Sequence, residues 1–188
     1  EVKYKSVPKP GELKDFDAVV VATGASVKRP DIRGIDSKRV CTFEDVLRCK
    51  MKNCEYWPKG GKAEPAEVGD TVLVWGDYFG AADAVEKLAY EGKQVYLVTP
   101  NREFAPWMEP VHKDVMVKRF AGGNGEALTG KTFAHPVKVV ASSSVLEIKD
   151  DGEVILVDSE FQRSLLKVDS VVLADVEADD SLYRKYAA

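Results

Sequence analysis

The feature that most constrains the fold is a strand–turn–helix–strand pattern at residues 70–99, DTVLVWGDYFGAADAVEKLAYEGKQVYLVT. An apolar run at 72–75 predicts a strand, and a second run that begins at Val95 predicts another. Between them, apolar residues recur at helical spacing until Gly92, a residue type that commonly ends helices. The recurring residues are Ala81, Ala84, Val85, Leu88 and Ala89. The length of about 30 residues is that of a βαβ unit, so we expect two parallel strands joined by a right-handed crossover.

A second strand signal lies near the start of the chain, in FDAVVVATGA at residues 16–25. Val19, Val20 and Val21 form a continuous β-branched run, which is typical of a strand buried on both faces of a parallel sheet. Thr23 and Gly24 follow, and glycine permits a sharp turn there. The late segment VDSVVLADVE repeats the pattern of an acid, a small residue, three apolar residues and a turn. The sequence therefore predicts two related closing strands.

The remaining segments predict shorter elements. In TFEDVLRCK, Thr42 can cap a short helix whose first turn is acidic. A helix is expected to begin near Pro110, and the tail DDSLYRKYAA is expected to be helical. Asp151 and Gly152 predict a two-residue hairpin turn between two alternating runs. Strands are predicted in PVKVVA, SVLEIKD, EVILVDS and VDSVVLAD, so we expect an α/β fold with a Rossmann-like, mainly parallel sheet and an antiparallel hairpin.

Composition excludes several classes of function. The 188 residues carry a net charge of −4, so the chain lacks the basic excess that a nucleic-acid surface usually needs. No apolar run approaches the roughly 18–20 residues that cross a bilayer. Three cysteines are too few for a disulfide framework, which favours a reducing, cytoplasmic setting. His112 and His135 stand apart from other ligand-type residues, so no metal site is predicted.

Several segments resemble one family of flavoproteins in their order and spacing. They are VVVATGASVKRPDIRGID, CTFEDVL, GKQVYLVTPNREFAPW and VVLADVEADDSLYRKY. Together they are similar to the C-terminal half of the old-yellow-enzyme-related NADH:flavin oxidoreductases, a group that includes 2,4-dienoyl-CoA reductase, trimethylamine dehydrogenase and histamine dehydrogenase. The resemblance covers most of the chain apart from residues 121–136. It implies the glutathione-reductase-like arrangement, in which an NAD(P)-type domain is inserted into an FAD-type domain just after an ATG segment.

This resemblance implies a division of the chain into four parts. Residues 1–35 would be a stub of the FAD-type domain with its ATG strand, and residues 36–69 a connector. Residues 70–178 would be the NAD(P)/ADP-type nucleotide domain, and residues 179–188 a return helix toward the FAD-type domain. The family's FMN-binding barrel, iron–sulfur cysteines and first FAD fingerprint have no counterpart in the sequence.

We therefore expect a fragment of a larger flavin-dependent oxidoreductase that is inactive by itself and contains no catalytic residue. FAD, FMN and a 4Fe-4S cluster are expected only in the full-length parent, whose barrel and FAD domain would be the partners of this chain. Oligomerisation stays open. In such a fragment, Val19, Val20 and Val21 are expected to be partly exposed or packed against other surfaces.

The strand–helix turn of the βαβ unit is the candidate nucleotide site. A dinucleotide fingerprint places glycines at such a turn so that backbone amides and the helix N-terminus face a pyrophosphate. Gly76 stands at the first glycine, Tyr78 at the second and Ala81 at the third, where alanine is tolerated. A tyrosine at the second position obstructs the close approach of phosphates, unless Gly80 shifts the turn by one residue. Two interpretations stay open: a bound nucleotide, or a retained fold that binds none.

The second strand of this unit should end in a carboxylate that binds the ribose diol of NAD. Thr99 stands there instead, and Arg102 offers a positive charge for a phosphate. Both ADP held as a structural group and NAD(P)H that delivers hydride fit this pattern, and the resemblance implies the ADP-occupied, non-redox version known in trimethylamine-dehydrogenase-like members. The candidate cofactor-binding residues are Gly76, Asp77, Tyr78, Phe79, Gly80, Ala81, Thr99, Asn101 and Arg102, with Ala22, Thr23 and Gly24 of the ATG segment.

Two short motifs imitate other sites. Residues 125–132, GEALTGKT, match the pattern GxxxxGK[ST], but a phosphate loop needs a strand before it and a helix after it. The segment that follows predicts a strand, which argues against a phosphate-loop NTPase. Cys49 and Cys54 have the spacing of a flavin-linked disulfide, but they lie in the connector, so free thiols are expected. The remaining alternative is a non-catalytic scaffold domain that has lost nucleotide binding and braces the flavin domains or an oligomer interface.

Overall fold

The computed structural model describes residues 1–48, 66–122 and 132–187. The chain divides into two compact units: a larger unit of residues 27–175, and a smaller unit of residues 1–26 and 176–188. The strands are β1 (Ala25–Val27), β2 (Val40–Thr42), β3 (Thr71–Trp75), β4 (Gln94–Val98), β5 (Lys138–Val140), β6 (Ser143–Ile148), β7 (Glu153–Asp158), β8 (Arg163–Lys167), β9 (Ser170–Leu173) and β10 (Val176–Ala178). The helices are a 3-10 helix (Pro10–Leu13), α1 (Phe43–Leu47), α2 (Phe79–Tyr90), α3 (Pro110–Phe120) and α4 (Ser181–Ala187).

A five-stranded parallel sheet forms the centre of the larger unit, in the order β2-β9-β3-β4-β5. Successive side chains of a strand point to opposite faces. Accordingly, Val72 and Val74 join the core that includes the buried residues of α2 and α3, whereas Leu73 joins a second core on the other face. All three side chains are fully buried, each worth about 1.5–3 kcal/mol of transfer free energy. The predicted strand at residues 72–75 and the mainly parallel α/β fold are confirmed.

Helices cover one face of this sheet. α2 connects β3 to β4 and buries the apolar residues predicted from their spacing, Ala81, Ala84, Val85, Leu88 and Ala89. α1 is capped by Thr42, whose Oγ1 accepts a 3.2 Å hydrogen bond from the amide of Asp45, as predicted. The preceding strand β2 pairs with β9. Residues 40–47, which the sequence placed in a connector, therefore belong to the parallel sheet and its helical layer.

An antiparallel sheet of β6, β7 and β8 supplies the second core. The predicted hairpin joins β6 to β7, but its turn differs from the predicted two-residue type. Lys149 donates its amide to the carbonyl of Glu153 and accepts from the amide of Gly152, which closes a three-residue loop. Gly152 lies at φ +91°, the left-handed conformation that such a loop requires. Strand β8 was not predicted, because its mostly exposed side chains leave no alternating pattern.

The smaller unit corrects one prediction. Residues 18–24 form no regular secondary structure, although Val19, Val20 and Val21 were predicted to form a buried strand. Val19 is 49% exposed and Val20 is 89% exposed, so the exposure expected for this run is observed. A β-branched run stabilises a strand only where other strands pair with it and cover it. The helix predicted for the tail is confirmed as α4.

Candidate functional site

The turn between β3 and α2 begins with Gly76, the first glycine of the predicted fingerprint. Gly76 lies at φ +136°, a conformation that favours glycine. A Cβ at this position would lie 2.6 Å from the carbonyl carbon of Ala174. The amide of Gly76 donates a 3.0 Å hydrogen bond to the carbonyl of Val98. Glycine is thus required because the turn lies directly against the backbone that follows β9.

Two further positions of the fingerprint serve helix packing. A Cβ at Gly80 would lie 2.3 Å from Cδ2 of Phe43, so the missing side chain lets α2 contact α1. Ala81 is fully buried in the core under the helices. These two residues therefore support the position of α2, and their small size is explained without any ligand.

Asp77 is the most enclosed polar group of the turn, at 8% exposure. Its Oδ2 accepts a 2.8 Å hydrogen bond from Oγ1 of Thr99, which is fully buried, and another from Nδ2 of Asn101. The Thr99 hydroxyl in turn accepts a 3.1 Å bond from the amide of Asn101. Three predicted site residues thus form one network that ties the β3–α2 turn to the end of β4. Arg102 follows this network as an exposed residue.

A second carboxylate, Asp175, lies at the same turn. Its Oδ1 accepts a 3.3 Å hydrogen bond from the amide of Asp77, and its carbonyl accepts a 2.9 Å bond from the amide of Lys28. Burial raises the pKa of the Asp175 carboxyl, and the negative charge of Asp77 raises it further; the bond from the Asp77 amide and the charge of Lys28 act in the opposite direction. The turn therefore carries two acidic side chains where a phosphate site would present only donors and positive charge.

A crevice of about 180 Å³ lies at the carboxyl ends of the central parallel strands; Trp75, which precedes Gly76, and Asp175 line it, whereas residues 76–81 do not. The βαβ connection from β3 leads to β4, whereas β9 lies on the other side of β3, so the strand order reverses here. Crevices at such reversals are the usual ligand sites of open α/β sheets. The volume is below the 300–1,000 Å³ or so of a typical ligand pocket, so the crevice admits part of a nucleotide. Among its lining residues are Lys28, Trp75, Pro100, Ser144, Leu173 and Asp175.

Three aromatic side chains cluster at the start of α2. Tyr78 occupies the N-cap position but makes no side-chain capping bond. Its ring lies 5.6 Å from that of Phe79 and 5.8 Å from that of Trp107, and Phe79 and Trp107 are in edge contact at 4.4 Å. All three are partly exposed. The tyrosine at the second glycine position thus belongs to an aromatic cluster that includes a residue from the loop before α3.

The predicted residues of the ATG segment lie in the smaller unit. The hydroxyl of Thr23 donates a 2.6 Å hydrogen bond to the carbonyl of Asp179. The amide of Asp179 donates a 3.0 Å bond to the carbonyl of Gly24, which lies at φ +87°. Ala22, which precedes them, is exposed. These two hydrogen bonds therefore join the ATG segment to the residues that follow β10.

The remaining sequence motifs have different outcomes. Most of the GEALTGKT motif lies outside the described residues, but residues 132–137 after it form no helix and lead into β5, so the segment lacks the helix of a phosphate loop. Cys49 and Cys54 also lie outside the described residues, whereas Cys41 is a free thiol. Within the described ranges, no three His, Cys, Asp or Glu side chains are grouped as metal ligands. No helix of that same part is both long and apolar enough to cross a membrane.

Three residues at the site were not predicted from the sequence: Asp175, Lys28 and Trp107. The sequence did contain one indication of Asp175, which is the similarity between the two closing segments. When FDAVVVATGA is aligned with VDSVVLADVE, Asp175 falls at the position of Thr23. The second closing strand therefore ends in a carboxylate where the first ends in a hydroxyl. No comparable sequence pattern marks Trp107 or Lys28.

No protein-family model matches the chain, and no curated protein does. Solved structures do match. 2-Naphthoyl-CoA reductase, solved with 2-naphthoyl-CoA, aligns with a TM-score of 0.63 and 24% identity over 95% of this chain and 23% of that chain. Histamine dehydrogenase from Rhizobium sp. 4-9 aligns with a TM-score of 0.53 and 20% identity over 88% of this chain and 24% of that chain. The water-forming NADH oxidase from Lactobacillus brevis, solved with NADH, aligns with a TM-score of 0.54 and 16% identity over 86% of this chain and 31% of that chain.

The chain thus spans about a quarter of the length of the first two structures and 31% of the third. At these identities the similarity concerns the fold. Histamine dehydrogenase belongs to the group that the sequence resembles, so the resemblance is supported at the level of the fold. The chain shares its α/β fold with part of each of these oxidoreductase structures.

Proposed function

We propose that this chain is part of a flavin-dependent oxidoreductase, in which its larger unit serves as a degenerate adenine-nucleotide domain. The observation that carries this proposal is the crevice at the carboxyl ends of β3, β4 and β9, next to a glycine turn that begins α2. The adenosine end of a nucleotide would lie near Thr99 and Arg102, and its phosphates near residues 76–81. FAD, FMN and an iron–sulfur cluster would belong to the remainder of the parent, which would be the partner of this domain.

The domain would not prefer NADH to ADP. A ribose-binding carboxylate at the end of the second strand gives NAD-type domains their grip on the diol. Here Thr99 is buried and its hydroxyl is bonded to Asp77, so neither group is directed at a ribose. Recognition would then depend on the phosphate and adenine parts that ADP and NADH share.

A second candidate function is a scaffold that binds no nucleotide. The observation that favours it is the pair of carboxylates at the turn, since Asp175 already accepts the hydrogen bond of the Asp77 amide. In this case the glycine and alanine positions would persist because they pack α2 against its neighbours. The two candidates differ in one measurable property, which is affinity for ADP.

Calorimetry of the whole chain with ADP and with NADH separates them. If the larger unit is a nucleotide domain, we expect ADP and NADH to bind weakly and with similar dissociation constants. Amide chemical shifts should change at residues 76–81 and 99–102. NADH binding much tighter than ADP would contradict the lack of preference, and shift changes centred on residues 125–132 would contradict the placement. The absence of any binding would favour the scaffold.

We also expect this chain by itself to retain no flavin and to show no turnover. Hydride transfer needs the nicotinamide and the isoalloxazine held about 3–3.5 Å apart, which requires a flavin domain as well. The test is to add FAD and FMN to the purified chain, desalt it, record its visible absorbance, and assay NADH oxidation with a dye acceptor. A yellow chromophore near equimolar occupancy, or turnover above the dye blank, would contradict this expectation.

A further inference from the structure

We propose that Asp175 is an internal competitor of the nucleotide phosphates, whose carboxylate occupies the amide donor of the β3–α2 turn and thereby limits how tightly the domain binds a pyrophosphate. This inference rests on the nucleotide-domain function proposed above. Asp175, which lies outside the fingerprint, would thus control the affinity of that site for its ligand. The class of ligand concerned is a nucleoside diphosphate or a dinucleotide.

The carboxylate of Asp175 lies within hydrogen-bond distance of the β3–α2 turn. Oδ1 of Asp175 lies 3.3 Å from the amide nitrogen of Asp77 and accepts its hydrogen bond. Asp77 directly precedes Tyr78, the N-cap residue of α2, and a pyrophosphate at this turn would face the N-terminus of that helix. The close contact of Gly76 with the backbone of Ala174 and Asp175 keeps this carboxylate beside the turn. A phosphate oxygen would therefore have to displace the carboxylate in order to reach this donor.

The β3–α2 turn also carries negative charge that would oppose a phosphate. Asp175 shares the turn with the carboxylate of Asp77, and the cation that acts on it is Lys28. Asp77 has its own hydrogen-bond donors in Thr99 and Asn101. A pyrophosphate brought to this turn would meet two negative charges. The raised pKa of Asp175, caused mainly by burial, agrees with a carboxylate that is poorly stabilised where it lies.

A substitution at position 175 can separate the effect of charge from that of side-chain size. Asparagine keeps the size of the side chain and an oxygen that accepts the Asp77 amide bond, but it removes the charge. Asp175→Asn is therefore the informative change. Asp150→Asn is the matched control, because it also neutralises one carboxylate, and Asp150 is exposed in the β6–β7 hairpin turn.

The experiment measures dissociation constants of adenosine, ADP and NAD⁺ for the whole chain and both variants. For Asp175→Asn we expect ADP and NAD⁺ to bind about tenfold more tightly, because the neutral asparagine removes one negative charge and is a weaker competitor for the Asp77 amide, while adenosine changes little. Asp150→Asn should resemble the original chain for all three ligands. A wild-type chain that binds ADP with the same affinity as Asp175→Asn would overturn the inference while leaving the proposed function intact.

Two further outcomes complete the test. If no variant binds ADP or NAD⁺, the proposed function itself fails, and this inference fails with it. Should Asp175→Asn not fold, the pH dependence of NAD⁺ binding to the original chain provides the same test, because the charge of a pyrophosphate diester is constant through the range in which Asp175 titrates. Affinity should then rise as the pH falls through the raised pKa of Asp175. An affinity that is independent of pH in that range would overturn the inference.

Discussion

The hydroxyl of Thr99 donates a 2.8 Å hydrogen bond to the carboxylate of Asp77, 22 residues earlier in the chain. Thr99 stands where an NAD-type domain has the ribose-binding acid, and Asp77 stands inside the turn that would bind phosphates. An acid is thus present near the end of the second strand, but it comes from the turn and is bonded within the protein. This relationship explains why we expect no preference for NADH, and it can be tested through stability.

Thr99→Val should destabilise the chain by about 1.5–3 kcal/mol, because a buried carboxylate loses one of its donors while the side-chain volume is kept. Thr99→Ser is the control, since it keeps the hydroxyl and loses one methyl group, worth about 0.8 kcal/mol. Urea denaturation followed by circular dichroism measures both free energies of unfolding. A valine variant as stable as the serine variant would show that the hydrogen bond contributes little.

Gly80→Ala tests whether the fingerprint glycine serves packing. The added methyl would lie 2.3 Å from Cδ2 of Phe43, and overpacking costs about 1–3 kcal/mol. The gain in helix propensity of about 1 kcal/mol offsets part of this. Because a 2.3 Å contact lies far inside van der Waals distance, we take the upper end of that cost and expect a net loss of about 2 kcal/mol in thermal or urea unfolding. Gly11→Ala, which has open space around it, should change stability by less than about 0.5 kcal/mol; a Gly80 variant equally close to neutral would refute the packing role.

Neutralising Asp175 should change the pH dependence of stability. Its folded-state pKa is raised above the ordinary value of 3.8, so the folded state binds more protons than the unfolded state between these two values. Stability of the original chain therefore falls as the pH rises through that window. Asp175→Asn removes this loss, so the stability of the variant relative to the original chain should increase across the window. Urea unfolding at a series of pH values measures it, and a constant difference would contradict the cause assigned to the shift.

Cys41 should react slowly with thiol reagents. Burial raises the pKa of its thiol to about 12, and the charge of Asp45 adds to this effect. The thiolate, which is the reactive form, is therefore nearly absent at neutral pH. In a Cys49→Ser/Cys54→Ser variant, a disulfide reagent should modify the remaining thiol much faster in urea than under native conditions. Fast native reaction at the rate of a free thiol would show that Cys41 is accessible.

A related expectation concerns the other two cysteines. In the original chain, three thiols should be counted in denaturant without added reductant, because no Cys49–Cys54 bond is predicted. The single-thiol variant should give one. A count of one in the original chain, rising to three only after reduction, would establish a disulfide and reverse the interpretation of this segment.

The sequence predicted those elements whose signals are local. The helical spacing from Ala81 to Ala89, the stop at Gly92 and the cap at Thr42 all act within a few residues, and each is present in the structure. The run at Val19–Val20 predicted a strand that does not form, since a strand depends on a neighbour that sequence spacing does not reveal. Strand β8 was missed because its side chains are mostly exposed, although its backbone pairs along its whole length with β7.

The sequence by itself determined the βαβ unit, the mainly parallel sheet and the absence of an acid at position 99, because apolar periodicity and residue type are enough for these. The tertiary structure alone decided the chemistry of the turn. Asp77 and Asp175 are 98 residues apart, and they meet because β9 pairs with β3 and brings its end against Gly76. Contacts between distant segments depend on strand order, which no local pattern specifies. The sequence similarity marks Asp175 as the end of a closing segment, but only the folded chain shows that its carboxylate faces the candidate phosphate site.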